Sequence, residues 1–452
     1  MYRGKTALIV GLARSGISAA KLLYRLGATI IISDIKEEDD LAGETKELRE
    51  SIECDFLLGS QPDEAVAGAD LIVISPGIPT DNDFVKKARQ AGKKVISEIE
   101  LAYTLCKAPI VAITGTNGKT TTTSLAGAIF QASDIKTHVV GNIGVPFTDK
   151  VLDTLATDIA VVEVSSFQLE TIYDFKPKIS VILNITEDHL NRHKTMENYT
   201  DIKLRIYSNQ SQEDYIVLNA DDIILSGLGL ENKDQVYWFS RKKVLEKGAW
   251  VEDNDIYMDI GAGEKRVCAV DEVAMPGSHN LENALAAVLI GGLMGAKTTL
   301  IGPVLKSFPG VEHRIERVDT IRGISFYNDS KATNPSASIK AIQAMAGPTL
   351  LIAGGLDKQN EFEELIQAFG DKVKALIVLG ETADKLAAVA YENDFTNIHK
   401  TNSIEEAVNI AFKLSSPGYS VLLSPACASW DMFKDYEERG RAFKEAVKAL
   451  RR

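Results

Sequence analysis

Short apolar runs alternate with helical patterns along most of the chain, and the first group of them lies before residue 107. A glycine-containing turn at residues 11–16 and a helical pattern up to Leu26 follow the first run. Strands that alternate with helices pair in parallel within one sheet, so this group predicts a Rossmann-like domain over residues 1–107. Its predicted strands are Thr6–Val10, residues 29–33, Leu71–Ile74 and residues 94–97.

The same alternation resumes after residue 107 and predicts a central domain over residues 108–310. An apolar run at residues 109–112 leads into a glycine-rich turn and a helical pattern. Residues 214–273 are richer in short strands and turns, and His279 opens a long apolar helix that continues to Met294. The other predicted strands of this domain are residues 139–144, 159–166 and 181–189.

A proline–glycine break at residues 309–310 marks a linker before a third alternating region. In that region Asn334 and Pro335 are typical of a helix cap and a first helical position. We therefore expect a second Rossmann-like domain over residues 311–452, and an α/β protein of three domains in all. The predicted strands of the third domain are residues 326–331, 350–353, 375–379 and 421–427.

Composition and charge indicate a folded protein and argue against some classes of partner. Hydrophobic residues make up 45% of the 452 residues and charged residues 25%, both near the averages for globular domains. The net charge of -13 repels a phosphate backbone, so we expect no nucleic acid partner. We also expect no membrane insertion, because no run of about 20 apolar residues is present. The cysteines, Cys54, Cys106, Cys268 and Cys427, lack metal-ligand spacing, which fits a reducing cytosol.

The run TGTNGKT at residues 114–120 follows the predicted strand at residues 109–112. Its two glycines leave backbone N–H groups free to face a polyphosphate, and the following helix adds positive charge at its N-terminus. Lys119 would bridge the β and γ phosphates, and the Thr120 hydroxyl stands where such loops hold Mg²⁺. The longer form of this motif would begin with another glycine, so this is a shortened variant. It predicts an ATP-binding central domain that is P-loop ATPase-like.

The turn at residues 11–16 resembles the opening of a dinucleotide-binding fold. Asp34 follows about 20 residues later, where such folds place an acid against a ribose hydroxyl. The middle glycine of the motif is replaced by Ala13, whose methyl group restricts the approach of a pyrophosphate, so the sequence disfavours NAD. A differently placed nucleotide diphosphate and a purely structural βαβ unit both remain open.

Polar residues follow several other predicted strands, where ligands collect in α/β sheets. Glu163 is a candidate Mg²⁺ ligand at the end of an apolar run, with a solvent-facing acid as the alternative. His189 follows another run directly after an aspartate, which favours a functional role for its imidazole. In the third domain, Lys331 and Lys358 suggest a receptor for carboxylates, although most lysines on loops are simply solvated.

Five runs of the central and third domains resemble the motifs of the Mur ligases: TGTNGKT at 114–120, EVSSFQL at 163–169, NITEDH at 184–189, HR at 313–314 and NDSKATN at 328–334. Three further runs resemble the family member that adds D-glutamate: the turn at 11–16, SPACASWD at 424–431 and YEERG at 436–440. The resemblance covers the whole length of the chain.

This resemblance implies an ATP-dependent amide ligase of peptidoglycan precursor synthesis. ATP would convert the L-alanine carboxylate of UDP-N-acetylmuramoyl-L-alanine to an acyl phosphate, and the amine of D-glutamate would then displace phosphate. The expected partners are therefore these two substrates, with ATP and two Mg²⁺ ions as cofactors. The resemblance also implies a cytoplasmic protein, and we expect a monomer.

The resemblance also assigns catalytic and metal-binding roles. Thr120 and Glu163 would hold one Mg²⁺ beside Lys119, and a second Mg²⁺ is expected near His189. The other ligand of the second ion would be a carbamylated lysine formed from CO₂, which maps onto Lys203. This assignment of Lys203 rests on the resemblance alone.

Further contacts implied by the resemblance come from all three predicted domains, the third closing over ATP. Those expected for ATP are Gly115, Thr116, Asn117, Gly118, Lys119, Thr120, Thr121, Asn280, Asn283, His313, Arg314 and Asp329. Those expected for the UDP-linked substrate are Arg14, Asp34, Ile35, Lys36, Gly77, Asn142 and His189, and Ser165 and Gln168 are further substrate contacts. Those expected for D-glutamate are Lys331, Thr333, Lys358, Ser429 and Tyr436.

Other functions compete with this interpretation. The nearest is another amide ligase of the same superfamily, the L-alanine-adding enzyme or folylpolyglutamate synthase; the run at residues 428–431 discriminates, and the folate enzyme lacks this N-terminal domain. A nicotinamide-dependent oxidoreductase would use the turn at residues 11–16, but Ala13 and the intact phosphate loop disfavour it. A non-catalytic, nucleotide-gated binding module would bind ATP without consuming it.

Overall fold

The computed structural model describes residues 2–60, 63–142, 144–230, 233–357 and 360–451, and it contains three β-sheets. The chain divides into two compact units. The first unit comprises Met1–Glu272 with Glu282–Lys306, and the second comprises Val273–Leu281 with Ser307–Arg452. Within the described ranges, no helix is long and apolar enough to cross a membrane.

The first sheet is parallel and has five strands in the order β3-β2-β1-β4-β5. Its strands are β1 (Thr6–Val10), β2 (Thr29–Asp34), β3 (Asp55–Leu58), β4 (Leu71–Ile74) and β5 (Val95–Ser97). Its helices are α1 (Arg14–Arg25), α2 (Ala42–Ser51), α3 (Asp63–Gly68), α4 (Asp83–Gln90) and α5 (Glu98–Tyr103), with a 3₁₀ turn at Glu38–Leu41. The alternation of strands and helices before residue 107 is thereby confirmed, and the central strands β1 and β4 are almost fully buried, as expected for strands covered on both faces.

The second sheet has nine strands in the order β14-β13-β12-β11-β10-β9-β6-β8-β7. Its strands are β6 (Ile110–Thr114), β7 (Thr137–Gly141), β8 (Ile159–Glu163), β9 (Ile179–Ile182), β10 (Tyr215–Asn219), β11 (Val236–Ser240), β12 (Gly248–Glu252), β13 (Asp255–Asp259) and β14 (Lys265–Ala269). The strands from β12 to β14 pair antiparallel and the others pair in parallel. The carboxyl ends of β6, β8 and β9 therefore lie side by side, which places the residues that follow them at one edge.

The helices around this sheet vary widely in length. They are α6 (Lys119–Ala132), α7 (Phe147–Lys150), α8 (Ser166–Leu169), α9 (Leu190–His193), α10 (Met196–Leu204), α11 (Ile223–Ser226), α12 (Ser278–Leu293) and α13 (Thr298–Ser307). Short 3₁₀ turns lie at Val151–Asp153, Arg205–Tyr207 and Val270–Glu272. The strand predicted over residues 181–189 ends at Ile182, because the side chain of Asn184 and the backbone beyond it bond to the glycine-rich turn instead of a neighbouring strand. Ile143, in the turn predicted after β7, lies outside the described residues.

The third sheet belongs to the second unit and has six strands in the order β15-β16-β20-β17-β18-β19. Its strands are β15 (Glu316–Ile321), β16 (Ile324–Asn328), β17 (Thr349–Ala353), β18 (Val373–Val378), β19 (Ile398–Lys400) and β20 (Ser420–Leu423). Its helices are α14 (Pro335–Ala344), α15 (Glu363–Gln367), α16 (Ala383–Glu392), α17 (Ile404–Leu414) and α18 (Tyr436–Ala449). Asn334 caps α14 and Pro335 is its first residue, as predicted. Only β15 pairs antiparallel, at one edge, so the Rossmann-like prediction holds.

Two buried carboxylates on α5 join the domain of the first sheet to the domain of the second sheet. Both domains lie within the first compact unit. Glu100 accepts three successive backbone N–H groups of residues 173–175, at 2.8 to 3.0 Å. Glu98 accepts the backbone N–H and the hydroxyl of Thr148, at 2.6 and 2.8 Å. Burial raises the pKa of Glu98 to about 7, although the hydrogen bonds from Thr148 oppose this shift. The two domains therefore meet at a carboxyl group that keeps its proton in mildly acidic solution.

We expect Glu98→Gln to change the pH dependence of stability. Between about pH 4.5 and 7 the unfolded chain ionises this carboxyl whereas the folded chain holds the proton, so folded stability falls as pH rises through that window. Glutamine mimics the protonated form, and it should abolish a loss of up to roughly 3 kcal/mol. The thermal unfolding midpoints of the wild type and of Glu98→Gln from pH 5 to 8 measure the effect. Glu47→Gln, at an exposed site on α2, is the control. Parallel pH profiles for the two proteins would contradict this assignment.

Candidate active site

The glycine-rich turn of the second sheet forms a loop between β6 and α6. Gly118 is the N-cap of α6 with φ of 86° and Gly115 has φ of 150°, in the region that favours glycine. A Cβ atom on Gly118 would also collide with the side chain of Asn283. Lys119 Nζ donates to the carbonyl oxygens of Gly115 and Thr116 at 2.8 and 2.9 Å. The ammonium group therefore lies against the loop, next to the N-terminus of α6, where anions are stabilised.

A hydroxyl and a carboxylate meet beside this loop. Thr120, in the first turn of α6, donates its hydroxyl to Glu163 Oε2 at 2.9 Å. Glu163 ends β8 and is almost fully buried, and its Oε1 accepts the side-chain N–H of Asn142 at 3.0 Å. Thr121 is buried in the same turn of α6. Hydroxyl and carboxylate oxygens are the ligands that Mg²⁺ prefers, so the pair of Thr120 and Glu163 fits a magnesium ion.

Asn184 braces the loop, a role that the sequence analysis missed. Its side chain accepts the backbone N–H of Asn117 at 2.8 Å and donates to the Asn117 carbonyl at 3.1 Å. The buried hydroxyl of Thr116 donates to the carbonyl of Thr186 at 3.1 Å and lies 3.3 Å from the hydroxyl of Tyr199. The loop is thus held in shape by the segment that follows β9. The run NITEDH was the only sequence signal of this contact.

His189 is half-exposed and has φ of 54°, an uncommon conformation for a residue other than glycine. Its ring centroid lies 4.9 Å from that of Phe167. Burial lowers the pKa of His189; the charge of Asp188 opposes this shift, whereas the charges of Lys119 and Lys203 add to it. The net lowering favours the neutral imidazole, which is the form that binds a metal.

Lys203 lies on α10 and is only 1% exposed, so it is not the surface lysine that its local sequence permits. Its Nζ lies 4.7 Å from the ring centroid of Tyr199. Burial lowers the pKa of Lys203 well below its ordinary value, the charge of Lys119 lowers it further, and Asp188 opposes both. The structure therefore holds a buried amine that favours the uncharged, nucleophilic state.

Ser165 and Gln168 cap the short helix α8 in this structure. Gln168 Oε1 accepts the backbone N–H and the hydroxyl of Ser165, at 2.9 and 3.0 Å, and the Ser165 hydroxyl accepts the N–H of Gln168 at 3.3 Å. This capping box places both side chains two to five residues beyond Glu163 at the same sheet edge. Their direct contact with substrate stays a prediction.

Asp34 organises the turn after β1. Its Oδ2 accepts the backbone N–H of Leu12 at 2.7 Å, and its Oδ1 accepts that of Lys36 at 3.0 Å. Both carboxylate oxygens thus hold backbone, while the neighbouring Ile35 is 67% exposed and Lys36 is also exposed. An apolar and a cationic side chain are therefore presented at the carboxyl edge of the first sheet.

Two further expected substrate residues lie exposed in the first unit. Arg14 begins α1, and its guanidinium lies 3.5 Å from the carbonyl oxygen of Gly144 in the second sheet's domain. Gly77 lies in the loop after β4. Both residues, like Asp34, follow strands at the carboxyl edge of the first sheet, which is where nucleotides bind to such folds.

In the second unit, the carboxylate of Asp329 follows β16 and is buried. Ser424 donates its hydroxyl to Oδ2 at 2.7 Å, and the backbone N–H of Ile315 donates to Oδ1 at 3.2 Å. Burial raises the pKa of Asp329 to about 7, against the opposing effects of Ser424 and the charge of Arg314. The Nε atom of Arg314 is buried and makes no hydrogen bond to any described residue, so a polar donor is available to a ligand.

His313 and Asn280 also belong to the second unit, whereas Asn283 belongs to the first. His313 has φ of 64°, and its Nδ1 lies 2.9 Å from the side-chain nitrogen of Asn328. Asn280 donates its side-chain N–H to the carbonyl of Pro276 at 2.7 Å. In the first unit, Asn283 accepts the hydroxyl of Thr122 at 3.3 Å.

The residues expected to bind D-glutamate follow strands of the third sheet. Lys331 Nζ lies 5.4 Å from the ring centroid of Tyr436. Ser429 is buried and Thr333 is half-buried in their loops. Lys358 lies outside the described residues. The structure thus brings Lys331 and Tyr436 together, and the contacts of this set with D-glutamate stay a prediction.

A buried guanidinium that the sequence analysis missed holds these loops together. Arg439 is 2% exposed and donates to the carbonyls of Ser330, Cys427 and Ala428 at 2.8 to 3.2 Å. It also donates to the hydroxyl of Ser330 at 3.0 Å. The side chain therefore joins the neighbour of Lys331 to the neighbour of Ser429. The run YEERG at 436–440 contains Arg439, but the run alone does not show which groups the arginine contacts.

Three family models match the chain in order, and all three describe Mur ligases. Residues 5–97 match the MurD-like N-terminal domain, residues 113–291 the Mur ligase middle domain, and residues 313–427 the Mur ligase glutamate ligase domain. The fold and the phosphate loop thus define a three-domain ligase of the Mur class.

Curated relatives identify the branch of that class. The UDP-N-acetylmuramoylalanine–D-glutamate ligase of Thermoanaerobacter pseudethanolicus is 51% identical, over 100% of this chain and 99% of the relative. The enzymes of the same name from Caldanaerobacter subterraneus and Clostridioides difficile are 50% and 46% identical, each over 99% of both chains. The chain belongs to the family of UDP-N-acetylmuramoylalanine–D-glutamate ligases, a branch of the Mur ligases.

Solved structures support the fold independently of close sequence identity. The UDP-N-acetylmuramate-alanine ligase MurC of Thermotoga maritima is 18% identical with a TM-score of 0.60, and the match covers 99% of each chain. MurF of Acinetobacter baumannii is 15% identical with a TM-score of 0.58, over 99% of this chain and 91% of that one. At these identities the likeness concerns the fold alone.

Proposed function

We propose that this protein joins the amine of D-glutamate to the L-alanine carboxylate of UDP-N-acetylmuramoyl-L-alanine, with ATP as the energy source, in peptidoglycan precursor synthesis. The identity of about half the residues over the full length of enzymes with that name supports the substrate pair. The observation that carries the chemistry is the contact between Thr120 and Glu163 beside the Lys119 loop. These groups form an ATP and magnesium site at the end of a central strand.

The reaction needs activation because a carboxylate is a poor acyl donor. A carboxylate oxygen of the substrate attacks the γ-phosphorus of ATP, the bond to the β-phosphate oxygen breaks, and ADP leaves. The D-glutamate amine then attacks the acyl carbon of the acyl phosphate, phosphate leaves with the bonding electrons, and the nitrogen loses a proton. Lys119 and the backbone N–H groups of its loop hold the phosphates and neutralise charge that spreads over them during transfer.

The oxygen ligands suit a hard divalent cation. Thr120 and Glu163 would hold one Mg²⁺, and His189 with Lys203 would hold a second. Bound magnesium would offset the repulsion between the phosphate oxygens and the attacking carboxylate. Glu163 also positions Asn142, because the Asn142 side-chain N–H donates to the Glu163 carboxylate.

The role proposed for Lys203 requires a carbamate. The buried amine favours the neutral state, so its nitrogen can attack the carbon of CO₂, form an N–C bond and release one proton. The product is anionic and presents two oxygens, which turns a poor ligand for magnesium into a good one. The position of Lys203 on α10, near the charges of Lys119 and Asp188, supports this assignment.

The other two domains would bind the two ends of the reaction complex. Residues 1–107 would bind the UDP part through the carboxyl edge of the first sheet, and residues 311–452 would bind D-glutamate and close over ATP. The central domain would then extend over residues 108–310. We further propose a cytoplasmic monomer, on the basis of the scattered reduced cysteines and the large net negative charge.

The test is phosphate release from ATP with Mg²⁺ and UDP-N-acetylmuramoyl-L-alanine. D-glutamate is compared with L-glutamate, L-alanine, L-lysine and no amino acid. We expect release only with D-glutamate. Release with another amino acid would assign the protein to a different member of the ligase superfamily. The absence of release under every condition would contradict the proposed reaction.

A further inference from the structure

A largely buried ion pair of the second sheet's domain contacts the first sheet's domain, outside the groups assigned above. Arg192, in α9, binds Glu170 through two parallel hydrogen bonds: Nε to Oε1 at 3.1 Å and Nη2 to Oε2 at 2.7 Å. The side chains are only 14% and 7% exposed. Two-point binding of a carboxylate by a guanidinium fixes direction as well as distance.

The pair holds the loop of residues 75–80, which follows β4 and carries Gly77. Thr80 donates its hydroxyl to Glu170 Oε2 at 2.7 Å. Arg192 Nη2 donates to the carbonyl of Ile78 at 2.8 Å. One backbone group and one side chain of this loop are therefore bound to the central domain on either side of Pro79.

The same pair also touches the segment that presents His189. Arg192 is three residues beyond His189, so both lie in one helical turn. The guanidinium carbon lies 5.0 Å from the ring centroid of Phe167, which itself lies 4.9 Å from that of His189 and 5.5 Å from that of His193. Glu170 directly follows α8, the helix capped by Ser165. The ion pair thus joins the expected UDP-binding loop to two groups expected at the reacting end of the substrate.

Low exposure distinguishes this pair, which lies within the second sheet's domain, from an ion pair that joins the first and second sheets' domains directly. Lys94 binds Asp174 at 3.0 Å, but their side chains are 46% and 68% exposed. Such an exposed pair contributes little to stability because water and salt screen it. A buried pair that loses one partner leaves a charge without compensation and relaxes its surroundings. The Lys94 pair is therefore a matched control for the Arg192 pair.

We propose that Arg192 and Glu170 are positioning residues, which hold the 75–80 loop in register with His189 and so set the span between the UDP end and the reacting carboxylate. This inference rests on the proposed function, because it assumes that one substrate reaches from the first sheet to the second. A substrate held at both ends reacts only if that span matches its length, and a misplacement of about 1 Å costs about a hundredfold in rate.

The experiment compares Arg192→Lys, Thr80→Val and the control Lys94→Met in the full-length protein. Lysine keeps the charge but loses the two-point contact, and valine removes only the hydroxyl that reaches Glu170. We expect Arg192→Lys to lower kcat/KM for the UDP-linked substrate about a hundredfold and Thr80→Val to lower it about tenfold. The KM for ATP should stay within about twofold of the wild-type value in both variants, because the phosphate loop is untouched.

Calorimetric binding of the UDP-linked substrate without ATP gives a second readout, which does not depend on turnover. We expect weaker binding in both variants and wild-type binding in Lys94→Met. Combining Glu170→Ala with Thr80→Val should add little to the effect of Glu170→Ala alone, because each change removes the hydrogen bond between Thr80 and Glu170. Wild-type kinetics and binding in Arg192→Lys and Thr80→Val would overturn the proposal, and so would equal losses in Lys94→Met. Failure of the wild-type protein to use D-glutamate would instead overturn the proposed function.

Discussion

Replacing Lys119 by alanine is expected to abolish most of the ligase activity, with kcat lower by about a thousandfold. The ammonium group lies 2.8 and 2.9 Å from two carbonyls of its own loop, at the N-terminus of α6. It is the one cation that the phosphate loop itself provides. Negative charge redistributes over the phosphate oxygens and the departing ADP during transfer, so the loss falls on kcat as well as on ATP binding.

Two further variants separate charge from geometry at this position. Lys119→Arg keeps the charge but replaces a point charge by a broad planar group, so we expect it to recover only a small part of the activity. Lys297→Ala removes an exposed lysine that pairs with Asp134 and should behave as the wild type. Steady-state phosphate release gives the kcat of Lys119→Ala, Lys119→Arg and Lys297→Ala. An alanine variant that retains more than about a tenth of the wild-type kcat would show that the loop does not hold the transferred phosphate.

The second large effect is expected at Lys203. Lys203 is only 1% exposed, so its replacement by alanine removes a buried amine and leaves space next to Tyr199. If the amine acts as a carbamate ligand, activity should fall by at least about a hundredfold. Bicarbonate should not restore it, because no amine remains to react with CO₂. A short carboxylic acid such as formate or acetate should restore part of it by placing carboxylate oxygens in the vacated space.

The rescue experiment separates this role from a structural one. A lysine needed only for packing would give a destabilised variant whose activity no carboxylate restores. Lys46→Ala, at a 76% exposed site on α2, controls for effects of added acid on the enzyme. Phosphate release is measured over a series of acid concentrations. Full activity of Lys203→Ala without added acid would remove the carbamate hypothesis.

Much of the architecture followed from local patterns. The apolar runs that form β1, β4, β6 and β8 are short, rich in β-branched residues and bounded by turns. The hydrophobic pattern and the length of each run therefore identified them as strands. Because consecutive strand–helix units pair in parallel, the polar residues after β6 and β8 had to share one edge, and Thr120 and Glu163 do meet there.

The remaining site geometry depends on contacts between segments far apart in the chain. The burial of Lys203 arises from the packing of α10 around Tyr199, and nothing within its own sequence window distinguishes it from a solvated lysine. Asp34 resembles a ribose-binding acid, and its role in substrate binding stays a prediction. The sequence did not reveal that its two oxygens accept the backbone N–H groups of Leu12, after β1, and Lys36, after β2. Arg192 and Glu170 are 22 residues apart, and their meeting required knowledge of how β8 and β9 place the segments after them.

The most direct test of the account follows the atoms of the substrate. UDP-N-acetylmuramoyl-L-alanine is prepared with heavy oxygen in the alanine carboxylate and incubated with ATP, Mg²⁺ and D-glutamate. Mass spectrometry then measures the product and the released phosphate. We expect a D-glutamate adduct that keeps one heavy oxygen in its amide, with the other heavy oxygen in phosphate. No D-glutamate adduct would contradict the ligase assignment, and an adduct with unlabelled phosphate would contradict activation of the carboxylate by phosphoryl transfer.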